Sequence, residues 1–173
     1  MRIDEFNEMD AADARALALV WAAIPRWADG VVVRRPYSSA EELAEIAERL
    51  TRTWGRVELD AALAHHPRIG AKVSGADAEA AASRSEQSSM ADADAGVAAR
   101  IAAGNVAYER RFGRVFLIRA AGRTPDEMLA ALESRLTNSD GDEVREAVAQ
   151  LAEIALLRLR STVHEPIEAR MPS

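Results

Sequence analysis

Apolar residues recur at helical spacing along most of this chain, in segments rich in strong helix formers. Leu43 and Leu50, for example, follow a Ser39-x-x-Glu42 pattern that is typical of a capped helix start. Only 3 residues are Phe, 2 are Tyr and 3 are Trp, while Ala, Leu, Glu and Arg abound. This composition favours helix over sheet. We therefore predict an all-α fold with a single domain over residues 1–173, built as a bundle of about seven to nine helices.

Prolines, glycines and capping residues divide the chain into candidate helices. One run is ambiguous: residues 112–118 (FGRVFLI) look like a strand, but the pattern is equally compatible with a buried, continuing helix. Thr124-Pro125-Asp126-Glu127 has the form of a helix start with proline at the first helical position. The predicted helices cover residues 11–24, 39–50, 57–66, 76–90, 96–111, 124–136 and 143–162.

Charge and residue content exclude several classes of function. Lys plus Arg is 22 and Asp plus Glu is 28, which argues against a nucleic-acid partner because phosphate binding requires a basic face. The absence of cysteine excludes a disulfide framework, a thiolate nucleophile and a Cys-based zinc site. No apolar run approaches the roughly 20 residues that a membrane helix needs, and the acidic N-terminal sequence is unlike a secretory signal. We expect a cytoplasmic protein without nucleic-acid or membrane partners.

Two of the three histidines stand side by side, and they point to different faces of the predicted helix. His66 continues the apolar stripe of Leu59 and Leu63, whereas His65 falls towards the edge of that stripe. Pro67 disfavours α geometry at the residue before it, so we expect His66 to close the helix. An inward imidazole at this position is either a helix-ending residue bonded to a carbonyl or an acid/base group.

A second polar pattern follows in the sequence SRSEQ. Ser83, Glu86 and Gln87 are spaced i, i+3 and i+4, which puts a hydroxyl, a carboxylate and a carboxamide on one face of a helix. Such a face offers donors and acceptors to a small polar ligand rich in N–H and C=O groups. The alternative is a solvated face of an Ala-rich helix.

The last predicted helix carries an arginine on its apolar face. At 100° per residue, Arg158 falls on the same face as Val144, Leu151 and Ala155, while Arg160 falls on the opposite face. A guanidinium aimed at a core needs an anionic partner, which is a ligand carboxylate or a buried Glu, unless it snorkels at the helix end. Together with an imidazole, a carboxylate and an amide, it suits an acid/base reaction on a small anionic ligand without a cofactor.

Several short blocks, in order along the chain, resemble the 2-oxo-4-hydroxy-4-carboxy-5-ureidoimidazoline (OHCU) decarboxylases of urate degradation. The resemblance spans roughly residues 30–160. At Arg114 and Val115 the chain departs from many members, which carry an aromatic residue and a proline there; this resembles a bacterial subgroup. The blocks are Arg35-Pro36-Tyr37, His66-Pro67-Arg68-Ile69-Gly70, Ser83-x-x-Glu86-Gln87, Asn105-x-x-Tyr108, Phe112-Gly113 leading to Phe116-Leu117-Ile118, Arg135-Leu136-x-Asn138, and Ile154-x-x-x-Arg158-Leu159.

The resemblance implies an all-α homodimer in the bacterial cytoplasm that converts OHCU to (S)-allantoin and CO2. It implies no metal and no organic cofactor. The acid/base of the family corresponds to His66 and not His65, and Glu86 and Arg158 complete the implied catalytic set. The implied substrate-binding residues are Pro67, Ser83, Gln87, Ile118, Arg119 and Ala120, the last three through backbone groups.

Other functions remain as alternatives. A metal-dependent hydrolase that uses His65 and His66 is disfavoured, because adjacent histidines face different ways and the chain has no His-x-x-x-His pair. A hydrolase of the urate ring would require a β-rich chain. A non-catalytic or degenerate helical module that binds purine catabolites predicts ligand binding without release of CO2.

Overall fold

A computed structural model describes residues 1–64, 68–69 and 93–165, which form eight helices and no strand. The all-α prediction is confirmed, and the number of helices in this part of the chain lies within the predicted range. None of these helices is long and apolar enough to cross a membrane. The helices are α1 (Ile3–Glu8), α2 (Ala11–Trp21), α3 (Pro25–Val32), α4 (Ala40–Thr51), α5 (Arg56–Leu63), α6 (Ala95–Phe112), α7 (Pro125–Arg135) and α8 (Asp140–Thr162).

Two predicted helix ends were wrong. Helix α2 ends at Trp21, and Ile24 is already the extended residue that precedes α3. A proline at the first position of α3 disfavours α geometry at Ile24, so α2 ends before this residue and α3 is a separate helix that was not predicted. Helix α5 ends at Leu63, earlier than the predicted end at His66, which itself lies outside the described residues.

The first of two compact units comprises residues 1–53 and the described residues from 155 onward. Its core contains the rings of Phe6, Trp21 and Trp27, with 5.5 Å between the first two centroids and 6.5 Å between the last two. The Ser39 hydroxyl accepts from the Glu42 N–H and caps α4 as predicted. The Glu42 carboxylate bonds Ser38 and not Ser39, so the predicted capping box is only half formed.

The second unit spans Trp54–Ile154, and its core lies between α6, α7 and the chain that joins them. Gly104 allows the close approach of α6 to α7, because a Cβ at this position would lie 2.6 Å from Leu132 Cδ2. The predicted start of α7 is confirmed: Thr124 caps it and exchanges hydrogen bonds with Glu127.

Neither expectation for residues 112–118 was right. Helix α6 ends at Phe112, because Gly113 has φ of +69° and forms a left-handed C-cap. Residues 115–120 then form neither helix nor strand, although Phe116, Leu117 and Ile118 are buried. Two backbone groups of this segment, the Leu117 carbonyl and the Arg119 N–H, are bonded by side chains.

Candidate active site

Arg158 is the one residue of the predicted catalytic set that lies within the described part of the chain. Arg158 is buried, with 5% of its surface exposed to solvent, and its Nη1 donates to the carbonyl of Val20 at 3.0 Å. Val20 lies in the last turn of α2, where unsatisfied carbonyls favour a cation. Arg160, in contrast, is exposed and pairs with Glu41 at 3.1 Å. The predicted inward orientation of Arg158 is therefore confirmed.

The predicted backbone site, Ile118 to Ala120, follows the end of α6 and is held from several sides. The Arg119 N–H donates to Gln150 Oε1 at 2.9 Å, and the Arg119 Nε donates to Glu153 at 2.8 Å. The Ala120 carbonyl accepts from the Arg123 N–H at 3.0 Å. The N–H and the side chain of Arg119 therefore both bind other parts of the protein.

A cluster of the buried residues Tyr108, Arg135 and Glu143 and the partly buried Asn138 supports this segment. Arg135 Nε donates to Glu143 Oε1 at 2.9 Å, and the Tyr108 hydroxyl donates to the same oxygen. Asn138 donates to the other carboxylate oxygen at 2.9 Å. Burial, and then the hydrogen bond with Glu143, raises the pKa of Tyr108, so its hydroxyl stays protonated. The cluster pairs the buried charges of Arg135 and Glu143.

The two residues that directly follow Pro67 in the described chain are tied to α6. Arg68 Nη2 donates to Glu109 Oε2 at 2.7 Å, and Asn105 donates to the Ile69 carbonyl at 3.0 Å. The hydrogen bond from Arg68 lowers the pKa of Glu109 below its usual value, which favours the ionised carboxylate in this contact. Asn105 and Glu109 are one helical turn apart, and they fix the chain immediately after the predicted His-Pro block.

The departure from the family at Arg114 and Val115 lies on the wall of a cavity of about 540 Å³ in the second unit. Arg114 is 9% exposed, and its Nε lies 3.3 Å from the Asp60 carboxylate. This wall therefore carries a buried guanidinium, and the exposed Asp60 carboxylate lies beside it.

The remaining predicted site residues lie outside the described residues. Arg158 belongs to the first unit and Ile118 to Ala120 to the second, and each is described within its own unit. The residues outside are His65, His66, Pro67, Ser83, Glu86 and Gln87.

Three buried polar residues of the second unit were not predicted to have a role: Arg135, Glu143 and Gln150. The periodicity that singled out Arg158 would also have found them. Arg135 follows Leu132 by three residues, and Glu143 and Gln150 share the face of α8 that carries Ala147.

A family model and several known proteins match this chain over much of its length. The family model described as OHCU decarboxylase matches residues 7–160. A 2-oxo-4-hydroxy-4-carboxy-5-ureidoimidazoline decarboxylase from Haloferax volcanii is 29% identical over 159 residues, which cover 91% of this chain and 90% of that protein. A protein of the same name from Amia calva is 34% identical over 103 residues, 58% of this chain and 59% of its own.

A solved structure agrees with the sequence matches. The crystal structure of an OHCU decarboxylase in the presence of (S)-allantoin is similar with a TM-score of 0.70 and 27% identity, and the match covers 83% of this chain and 94% of that one. The family match reaches from α1 into the last turn of α8, so it includes both Arg158 and the Ile118 to Ala120 segment. The chain belongs to the OHCU decarboxylase family.

Proposed function

We propose that this chain decarboxylates OHCU to (S)-allantoin and CO2 in urate degradation. The observation that carries the proposal is the family match over residues 7–160, which spans both structural units. As a member of this family the chain is a carboxy-lyase. The buried guanidinium of Arg158 supports the proposal, because the substrate is an anion and a buried cation favours its binding.

In the proposed reaction the bond between the ring carbon and the carboxylate breaks, and CO2 leaves without the bonding electrons. The adjacent imine and carbonyl groups of the substrate delocalise that electron pair, so no Schiff base or thiamine is required. His66 then delivers a proton to one face of the carbanion, which gives a single enantiomer of allantoin. Glu86 bonds His66 or the ureido N–H groups and favours the charged imidazole.

The other proposed residues fix the pose of the substrate. Arg158 and the Gln87 amide bind substrate oxygens or N–H groups, and Arg158 also stabilises the developing negative charge. Pro67, Ser83 and the backbone at Ile118 to Ala120 complete the binding surface. The reaction as proposed uses no metal and no organic cofactor.

We also propose one domain over residues 1–173, assembled as a cytoplasmic homodimer. The single domain is supported by α8, which contributes residues to both units, and by a family match that spans them. The dimer follows from the family resemblance, and sedimentation velocity would measure it. The cytoplasmic location is supported by the absence of cysteine from the 173 residues, because disulfide bonds are typical of proteins in oxidising compartments.

The proposed function predicts faster formation of (S)-allantoin from freshly made OHCU. Urate oxidase and the following hydrolase generate OHCU from urate, and circular dichroism follows the chiral product. We expect the purified chain to accelerate the appearance of (S)-allantoin well above the spontaneous reaction, which gives both enantiomers. An unchanged rate with tight binding of allantoin in calorimetry would instead indicate a degenerate module that binds purine catabolites.

A further inference from the structure

The segment at residues 116–120 is held by side chains from α7 and α8. Arg135 Nη1 donates to the Leu117 carbonyl at 2.7 Å, and Gln150 Oε1 accepts from the Arg119 N–H at 2.9 Å. Arg135 is 6% exposed and Gln150 is 4% exposed. Both anchors are therefore buried groups that are committed to the backbone of this segment.

The two anchored groups, the Leu117 carbonyl and the Arg119 N–H, are two residues apart. Residues 115–120 contain no helix or turn, and in an extended backbone the carbonyl of one residue and the N–H two residues later point to the same side. The N–H groups of Ile118 and Ala120 then belong to the opposite edge. No described residue accepts a hydrogen bond from either of these N–H groups, although both residues are at least 95% buried. A buried N–H is costly unless a polar group binds it, so this edge is suited to a ligand.

We propose that Arg135 and Gln150 are positioning residues for the decarboxylation. They hold the Leu117 carbonyl and the Arg119 N–H, and this presents the N–H groups of Ile118 and Ala120 to the substrate. The inference rests on the proposed function. It narrows the predicted backbone site to two donors, the N–H groups of Ile118 and Ala120. The Arg119 N–H serves to hold the segment, and its neighbours on either side bind the substrate.

The geometry of Arg135 explains why this position requires an arginine. Its Nε and Nη2 face Glu143, while Nη1 reaches the Leu117 carbonyl, so a single planar group connects the carboxylate to the backbone. The guanidinium also lies 4.6 Å from the centroid of the Phe116 ring. A lysine has one point charge on a flexible stem and cannot maintain these contacts together. Buried ion pairs contribute little net stability on average, so a positioning role gives this pair a function beyond folding.

The test compares two kinds of variant. Variants of the first kind remove a hydrogen bond to the backbone of residues 116–120, and variants of the second kind change only the side chains around this segment. Arg135→Lys and Gln150→Met should each lower kcat/KM on OHCU by about 10- to 100-fold, because small misplacements of binding groups have effects of this size. The enantiomeric excess of (S)-allantoin should fall in both. Amide hydrogen exchange of the peptide that contains Leu117 to Ala120 should become faster in both.

Two matched controls separate positioning from stability. Tyr108→Phe removes a hydroxyl from Glu143 and leaves Arg135 on Leu117, so it should lower the thermal midpoint with kcat/KM within about twofold of wild type. Glu153→Gln removes the charge that pairs with the Arg119 side chain, and as a change to an exposed pair it should leave the rate and the exchange unchanged.

The proposal is overturned if Arg135→Lys and Gln150→Met remain as active as Tyr108→Phe at an equal loss of thermal midpoint. If Arg135→Lys does not fold, Gln150→Met decides alone, because it removes an uncharged amide whose only other described contact is with Glu146 on the same helix. A wild-type protein without activity on OHCU would overturn the proposed function and the catalytic role with it. Hydrogen exchange in the same variants would still show whether the two side chains hold the segment.

Discussion

The His66→Ala variant is expected to lose about 100- to 10,000-fold in kcat on OHCU, the usual contribution of a positioned acid/base group. Decarboxylation leaves a carbanion that must be protonated on one face, and the proposal gives that proton to the His66 imidazole. Without the imidazole, water protonates the carbanion and can do so from either face. We therefore expect the remaining product to approach a mixture of allantoin enantiomers, measured by circular dichroism together with total allantoin release.

The neighbouring histidine is the matched control for this prediction. His65→Ala makes the same change one residue earlier, on a different face of the predicted helix, and should change kcat by less than about threefold. Thermal midpoints of both variants show whether either change unfolds the protein. Comparable losses of activity in the two variants would contradict the choice of His66, and stereospecific turnover near the wild-type rate in His66→Ala would contradict the acid/base role.

Helical periodicity indicates which arginines face inward but does not identify their partners. Arg158 and Arg135 both continue apolar stripes, and both are buried. For Arg158, one alternative to ligand binding was a structural pair with a buried Glu. That arrangement exists at Arg135, which pairs with Glu143 of another helix. An apolar stripe shows which side of a helix a residue faces. The partner of that residue depends on how the helices pack, and a local sequence pattern does not contain this information.

The chain after α6 shows a second limit of local patterns. Gly113 is a residue type that commonly ends a helix, but the apolar run that follows it is compatible with either helix or strand. Its conformation is set by Arg135 and Gln150, which lie 18 and 31 residues from the backbone groups that they bind. Helix starts such as Thr124-Pro125, in contrast, depend on neighbours within one turn, and there the prediction was confirmed.

The Arg158→Lys variant should lower kcat/KM by about 100- to 1,000-fold, the range measured when one preorganised donor to a developing negative charge is lost. The substitution keeps the charge and removes the planar fork that binds two oxygens at once. The Val20 carbonyl at 3.0 Å holds the guanidinium at the end of α2, and a lysine, with its single point charge, cannot keep this contact together with a two-point contact to the substrate. Initial rates over a range of OHCU concentrations measure the change in kcat and in KM.

Arg160→Lys is the matched control, since it makes the same substitution two residues later on the same helix. Arg160 is exposed, and its pair with Glu41 is of the kind that contributes at most about 1 kcal/mol, so kcat/KM should remain within about twofold of wild type. If Arg158 contributes only to folding stability, Arg158→Lys will lower the thermal midpoint. Its kcat/KM and its affinity for (S)-allantoin, measured by calorimetry, will then equal those of the wild type. A substrate-binding role requires the opposite result: weakened affinity and turnover in a protein whose thermal midpoint is close to that of Arg160→Lys.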